Sequence, residues 1–179
     1  MNALAELISR AGHAYGGRQA LVGERRSMSF AEVDADSNRL ASALALRLGV
    51  VKGEPVAILL PNCPEFVVAD FALMKAGLIR VPVNPRYVAP EIDFILAHCG
   101  AAALVTSSAF ADVVAEIRER VSTLRHVITI DAAPGIIDAY RWSDVLAQGS
   151  EGAFAVDTTD ADGYMVAYTS GTPGGRKAR

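Results

Sequence analysis

The residues best suited to chemistry stand together in the last twelve positions: Tyr168, Thr169, Ser170, Gly171, Thr172, Pro173, Gly174, Gly175, Arg176, Lys177, Ala178 and Arg179. Three hydroxyls, three glycines and a group of cations directly follow an apolar run, Tyr164, Met165, Val166, Ala167 and Tyr168. This order builds a phosphate-gripping turn. A buried strand carries the chain to one edge of a sheet, and glycines let the backbone approach an anion. Exposed N–H groups, hydroxyls and a lysine then supply donors and positive charge.

Counting excludes two other phosphate motifs. A Walker loop fails because Arg176 stands five places after Gly171 and nothing hydroxylated follows Lys177. The dinucleotide fingerprint G-x-G-x-x-G is absent. The residues alone leave a Gly-rich surface turn as the alternative. Elsewhere, Asp157, Asp160 and Asp162 before Gly163 look like part of a calcium loop. The twelfth position counted from Thr158 is Thr169, where a bidentate glutamate is needed, so no metal site is expected. Asp34 and Asp36 fall on different faces of a helix and read as solvated. His13, His98 and His126 are scattered and read as structural or surface residues. Tyr164 and Tyr168 read as strand packing, and Trp142 as core or lid.

With 179 residues, the chain is one domain's worth, long enough for a substantial core. Its 51% hydrophobic and 21% charged residues exclude a disordered chain. A net charge of −3 leaves no electrostatic footprint for nucleic acid. The apolar runs are strand-sized, so no membrane span is expected. No basic region followed by an apolar core opens the sequence, and no secretory signal is read. Two cysteines, Cys63 and Cys99, make neither a disulfide framework nor a metal site, which points to a reduced, cytoplasmic compartment.

The elements that must position the turn follow an alternating order. Residues 2–13 are helical, and residues 20–22 and 27–30 form a hairpin around Gly23. Ser29 and Glu32 make a capping box for a helix reaching about Leu48, with Val33, Leu40 and Leu44 on one stripe and Arg39 and Arg47 solvated off it. The unbroken apolar run 56–60 predicts a strand covered on both faces. Asn62 then caps a helix with Glu65 completing the box, and Gly77 stops it. Residues 78–81 form a strand, and Pro90 and Glu91 open a helix that ends at Gly100. Residues 101–105 and 127–130 are strands flanking a helix over about 109–121. Residues 131–163 form a long excursion with one short helical piece near 142–146. The whole predicts an α/β fold with a largely parallel sheet flanked by helices.

The terminal stretch resembles the phosphate loop Y-T-S-G-T-T-G-x-P-K-G of the adenylate-forming, or AMP-binding, superfamily. Tyr168, Thr169, Ser170, Gly171, Thr172, Gly174 and Lys177 match, while Pro173, Arg176 and Ala178 depart from it. Residues 53–62 are similar to the family's G-D-x-V-A-I-L-L-P-N. Lys75, Gly77 and residues 81–85 are similar to its K-x-G-x-x-x-V-P-x-N-P. Residues 28–32 and 38–41 also resemble family segments, of the acyl-CoA synthetase and fatty-acid–CoA ligase type. The resemblance covers residues 19–179 and implies an incomplete N-terminal subdomain of that fold, a single span 1–179 ending at the phosphate loop, 168–178.

The resemblance further implies the chemistry. A carboxylic acid attacks the α-phosphorus of ATP, with Mg²⁺, and a thiol, most often coenzyme A, displaces AMP from the acyl-adenylate. By the same resemblance Thr169, Ser170 and Thr172 donate hydroxyls, Gly171 and Gly174 present backbone N–H groups, and Lys177 is the mobile charge. Arg176 adds a second cation where the family has proline. The family's adenine, Mg²⁺ and acyl-pocket segments and its C-terminal domain lie downstream of this loop, so the span is expected to be inactive alone. Because the chain opens at a methionine, a peptide-synthetase adenylation domain is the less favoured member type. The alternative from another class is a non-catalytic truncated α/β remnant that acts only in binding or self-association. A truncated sheet exposes apolar surface, which predicts self-association into a homo-oligomer.

Overall fold

A computed structural model describes residues 3–24, 26–159 and 161–169. Helix α1 (Ala3–Tyr15) precedes an antiparallel hairpin, β1 (Gln19–Val22) and β2 (Ser27–Ser29). The remaining elements are α2 (Phe30–Leu46), β3 (Pro55–Leu59), α3 (Pro64–Lys75), β4 (Ile79–Pro82), α4 (Ala89–Cys99), β5 (Ala103–Thr106), α5 (Ala111–Arg118), β6 (His126–Thr129), β7 (Tyr140–Arg141) and α6 (Trp142–Gln148). Strands β3 to β7 form one sheet in the order β4-β3-β5-β6-β7, and every pairing in it is parallel. This is the α/β architecture that the alternating sequence predicts.

Residue alternation along the central strands divides the core into two halves. Val56, Ile58 and Leu60 face a cluster with Leu40, Leu44, Leu73 and Trp142, which belongs to α2, α3 and α6. Ala57 and Leu59 face a second cluster with Ile92, Ile95, Val114 and Ile117, which belongs to α4 and α5. Both faces of β3 are thus covered, the reason its apolar run is unbroken.

The capping box at α2 is present: Ser29 Oγ accepts from the Glu32 N–H at 3.3 Å, and Glu32 accepts from the Ser29 N–H at 2.7 Å. Helix α4 ends as expected at Gly100, whose φ of +67° lies in the left-handed region that favours glycine. The start of α3 differs from expectation. Cys63, not Asn62, is the N-cap and makes no side-chain cap. Pro64 fixes the first helical φ, so the helix begins one residue later than read. That shift puts Glu65 too early to reach back and complete a box.

The excursion 131–163 contains α6 and also β7, a two-residue strand too short to show any alternation. Gly149, just after α6, lets the chain pass against α2. A Cβ built there would lie 2.0 Å from the Arg39 carbonyl oxygen.

Asp34 and Asp36 are not solvated. The Lys75 ammonium, on a residue 1% exposed, shares its three N–H donors among four acceptors: Asp34 Oδ1 at 2.6 Å, Asn38 Oδ1 at 2.7 Å, Ser37 Oγ at 2.8 Å and the Asp34 carbonyl at 3.1 Å. Burial pulls the Lys75 pKa down, and Asp34 opposes that pull. Asp36 accepts from Arg26 at 3.2 Å and from Arg39 at 2.9 Å, so Arg39 is ion-paired as well. Packing of α3 and residues 149–156 over the polar face of α2 buries groups that an isolated helix would leave in water. Asn38 donates to the Glu151 carbonyl at 3.1 Å, and the Val156 N–H donates to the Lys75 carbonyl at 2.9 Å.

Candidate phosphate-binding edge

The segment leading to the hydroxyl- and glycine-rich turn lies along the outer edge of β4. The Arg80 N–H donates to the Tyr164 carbonyl at 3.0 Å, and the Val166 N–H donates to the Arg80 carbonyl at 3.0 Å. These bonds define a parallel bridge between Arg80 and Met165. The sequence leads one to expect a buried strand here. Residues 165–168 are instead half-buried and Tyr164 is 42% exposed, because the segment has β4 on one side and lies outside the sheet's covered middle.

Parallel pairing fixes the direction of travel. Residues 164–168 run the same way as β3, β4 and β5, so Thr169 emerges at the carboxyl edge of the sheet. Open α/β sheets bind ligands at that edge, beside the point where strand order reverses. Here the chain goes from β3 outward to β4 and then crosses back to β5 on the other side of β3.

Arg80 holds the segment through its side chain as well. Its guanidinium pairs with Asp70 on α3, donates to Met165 Sδ at 3.4 Å and lies 5.4 Å from the centre of the Tyr164 ring. Burial raises the Asp70 pKa, and Arg80 opposes that rise. Tyr168 packs its ring against the α4 side of the core. Tyr168 thus packs as the sequence predicts, Tyr164 is 42% exposed with the Arg80 guanidinium over its ring, and Trp142 is a core residue at 7% exposed.

Of the sequence-derived loop residues, Thr169 is described and exposed. Ser170, Gly171, Thr172, Gly174, Arg176 and Lys177 lie outside the described residues. Arg80 and Asp70, which hold residues 164–166, and His98, whose Nδ1 lies 2.8 Å from the Tyr168 hydroxyl, were not foreseen as partners of this segment. The signal for Arg80 was a lone cation inside an apolar strand; Asp70 and His98 carry no local signal. Cys63 and Cys99 are free thiols. Burial pushes both up, Cys99 to about 11, so neither is an ionised nucleophile near neutral pH. Among the described residues no three His, Cys, Asp or Glu side chains gather into a metal site, and no helix is long and apolar enough to cross a membrane.

Residues 8–178 match the AMP-binding enzyme family. The chain belongs to that family. It is 33% identical over 151 residues to the long-chain-fatty-acid–CoA ligase FadD13 of Mycobacterium tuberculosis, a match covering 82% of this chain and 28% of the relative. It is 36% identical over 166 residues to crotonobetaine/carnitine–CoA ligase of Escherichia coli, covering 88% of this chain and 32% of that one. Among solved structures, the anthranilate–CoA ligase AuaEII in complex with anthranoyl-AMP superposes with a TM-score of 0.92 at 28% identity, covering 98% of this chain and 33% of the enzyme. The chain therefore spans about a third of the length of the acyl-CoA ligases it matches and corresponds to their N-terminal part.

Proposed function

We propose that residues 1–179 form the N-terminal portion of the AMP-binding domain of an ATP-dependent carboxylate–CoA ligase, ending at a phosphate loop over residues 168–178. The observation that carries this reading is the parallel bridge at Arg80 and Met165, which delivers Thr169 to the carboxyl edge of the sheet. There Thr169, Ser170 and Thr172 donate hydroxyls to the β- and γ-phosphates of ATP, and Gly171 and Gly174 present backbone N–H groups. Lys177 supplies the charge, with Arg176 as a second cation. Donors fixed around the triphosphate hold the α-phosphorus open to a carboxylate and stabilise pyrophosphate as it leaves. The accompanying Mg²⁺ would be held chiefly by the phosphates of ATP, and among the described residues no cluster of three or more carboxylate, His or Cys side chains adds a protein cage for it. Coenzyme A enters this reading as the thiol acceptor of the complete enzyme, the other substrate being a carboxylic acid. The free thiols fit a cytoplasmic location.

The span contributes phosphate grip and scaffold and turns over neither half-reaction alone. Sustained thioester formation by the purified chain would contradict that statement. The phosphate grip is tested by titrating MgATP into the chain and its Lys177→Ala variant. Saturable binding weakened about tenfold or more, the scale of a lost charge-assisted contact, supports it. Equal affinity in the two chains would refute it.

A further inference from the structure

The position immediately before Thr169 is gripped from a second direction. His98, near the end of α4, places its Nδ1 2.8 Å from the Tyr168 hydroxyl, a hydrogen bond spanning 70 residues of sequence. Phe94, one turn earlier on α4, packs against both rings. Its centroid is 5.3 Å from that of His98 and 6.4 Å from that of Tyr168, the latter contact edge-on at 84°. Burial foremost, with Cys99 second, pushes the Tyr168 hydroxyl up to about 12, so it stays protonated throughout the neutral range. Arg80 secures residues 164–166 from the β4 side, so α4 and β4 hold the root of the loop between them.

We propose that the His98–Tyr168 pair is a positioning clamp that sets where Thr169, at the carboxyl edge of the sheet, meets the phosphates of a nucleoside triphosphate. The proposal rests on the phosphate-loop reading above. Neither side chain touches the reacting atoms, and both act through the backbone they fix. The bond also joins a strand-edge residue to a helix on one face of the sheet, so it resists sideways displacement that the β4 backbone bonds leave free.

The test is calorimetric titration of MgATP into the parent chain and into His98→Ala, His98→Asn, Tyr168→Phe and Lys177→Ala, with a melting temperature for each. His98→Ala and Tyr168→Phe are expected to weaken MgATP binding about 3- to 10-fold, the worth of one ordinary hydrogen bond. His98→Asn should recover affinity to within about twofold, because its amide occupies the place of Nδ1 and can bond the same hydroxyl. Parent-like affinity in His98→Ala and Tyr168→Phe, with Lys177→Ala weakened, overturns the clamp and leaves the loop reading standing. Lowered melting temperatures with unchanged MgATP affinity, or no recovery in a well-folded His98→Asn chain, also overturn it. No MgATP binding by the parent, or a parent-like Lys177→Ala, overturns the loop reading and the clamp with it.

Discussion

Replacing Lys75 with methionine should be among the most damaging single changes in the chain. Methionine keeps most of the aliphatic stem and removes the ammonium, so the loss is of polar partners more than of volume. Four bonds go: to Asp34 Oδ1, the Asp34 carbonyl, Ser37 Oγ and Asn38 Oδ1. Two acceptors are partly compensated, since Ser9 Oγ still donates to Asp34 at 2.7 Å and Ser37 Oγ still donates to the Asp34 carbonyl at 2.9 Å. Asn38 Oδ1 keeps only a long contact from the Phe154 N–H at 3.5 Å. Breaking one partner out of a buried pair costs about 3–5 kcal/mol, and the Asp34 side chain at 17% exposed retains some water, so about 3 kcal/mol is expected. The measurement is denaturant unfolding of Lys75→Met, Asp34→Asn and the double variant. The double variant is expected to lose less than the sum of the singles, because the uncompensated carboxylate is then absent. A cost under about 1 kcal/mol for Lys75→Met, or strict additivity, would refute it.

Further changes probe other parts of the molecule. Gly149→Ala forces a Cβ against the Arg39 carbonyl and should destabilise by about 1–3 kcal/mol in the same unfolding assay. Arg80→Met strands Asp70 and loosens residues 164–166, so it should weaken MgATP binding by about threefold or more in calorimetry while the fold persists by circular dichroism. The Arg125 side chain, by hydrogen bonds at 2.9 and 2.7 Å, holds the Glu54 carboxyl below its ordinary 4.5. A lowered carboxylate pKa contributes stability that is present above the unfolded value and lost as pH falls through the lower folded one. Glu54→Gln should therefore flatten the acid limb of melting temperature against pH below 4.5 and leave the slope near neutrality unchanged. We also propose self-association, as expected of an incomplete sheet; sedimentation should show mass rising with concentration, and a concentration-independent monomer would contradict it.

Much of the fold was legible because local signals and tertiary packing agree. The glycine after α4 and the Ser29 box act through nearest neighbours, and the apolar run in β3 is covered on both faces as its composition predicts. Failures came where a distant segment decides. Asp34 looks solvated until Lys75, 41 residues on, is folded against it. Asn62 loses its capping role to the ring of Pro64. The run 164–168 has the composition of a buried strand, and composition does not say that it lies on an edge. The loop's chemistry could be read from residue types, but its anchors could not. Arg80 and Asp70 gain their meaning from α3 packing beside β4, and His98 from α4 lying against Tyr168 on the other face of the sheet.

The most direct test of the phosphate grip is photoaffinity labelling of the chain with an ATP analogue carrying an azide on its γ-phosphate, followed by mass-spectrometric mapping. Covalent label within residues 169–178, suppressed by excess MgATP, is the predicted result. Competable label elsewhere in the chain, with residues 169–178 unmarked, would contradict the assignment of the loop as the triphosphate site.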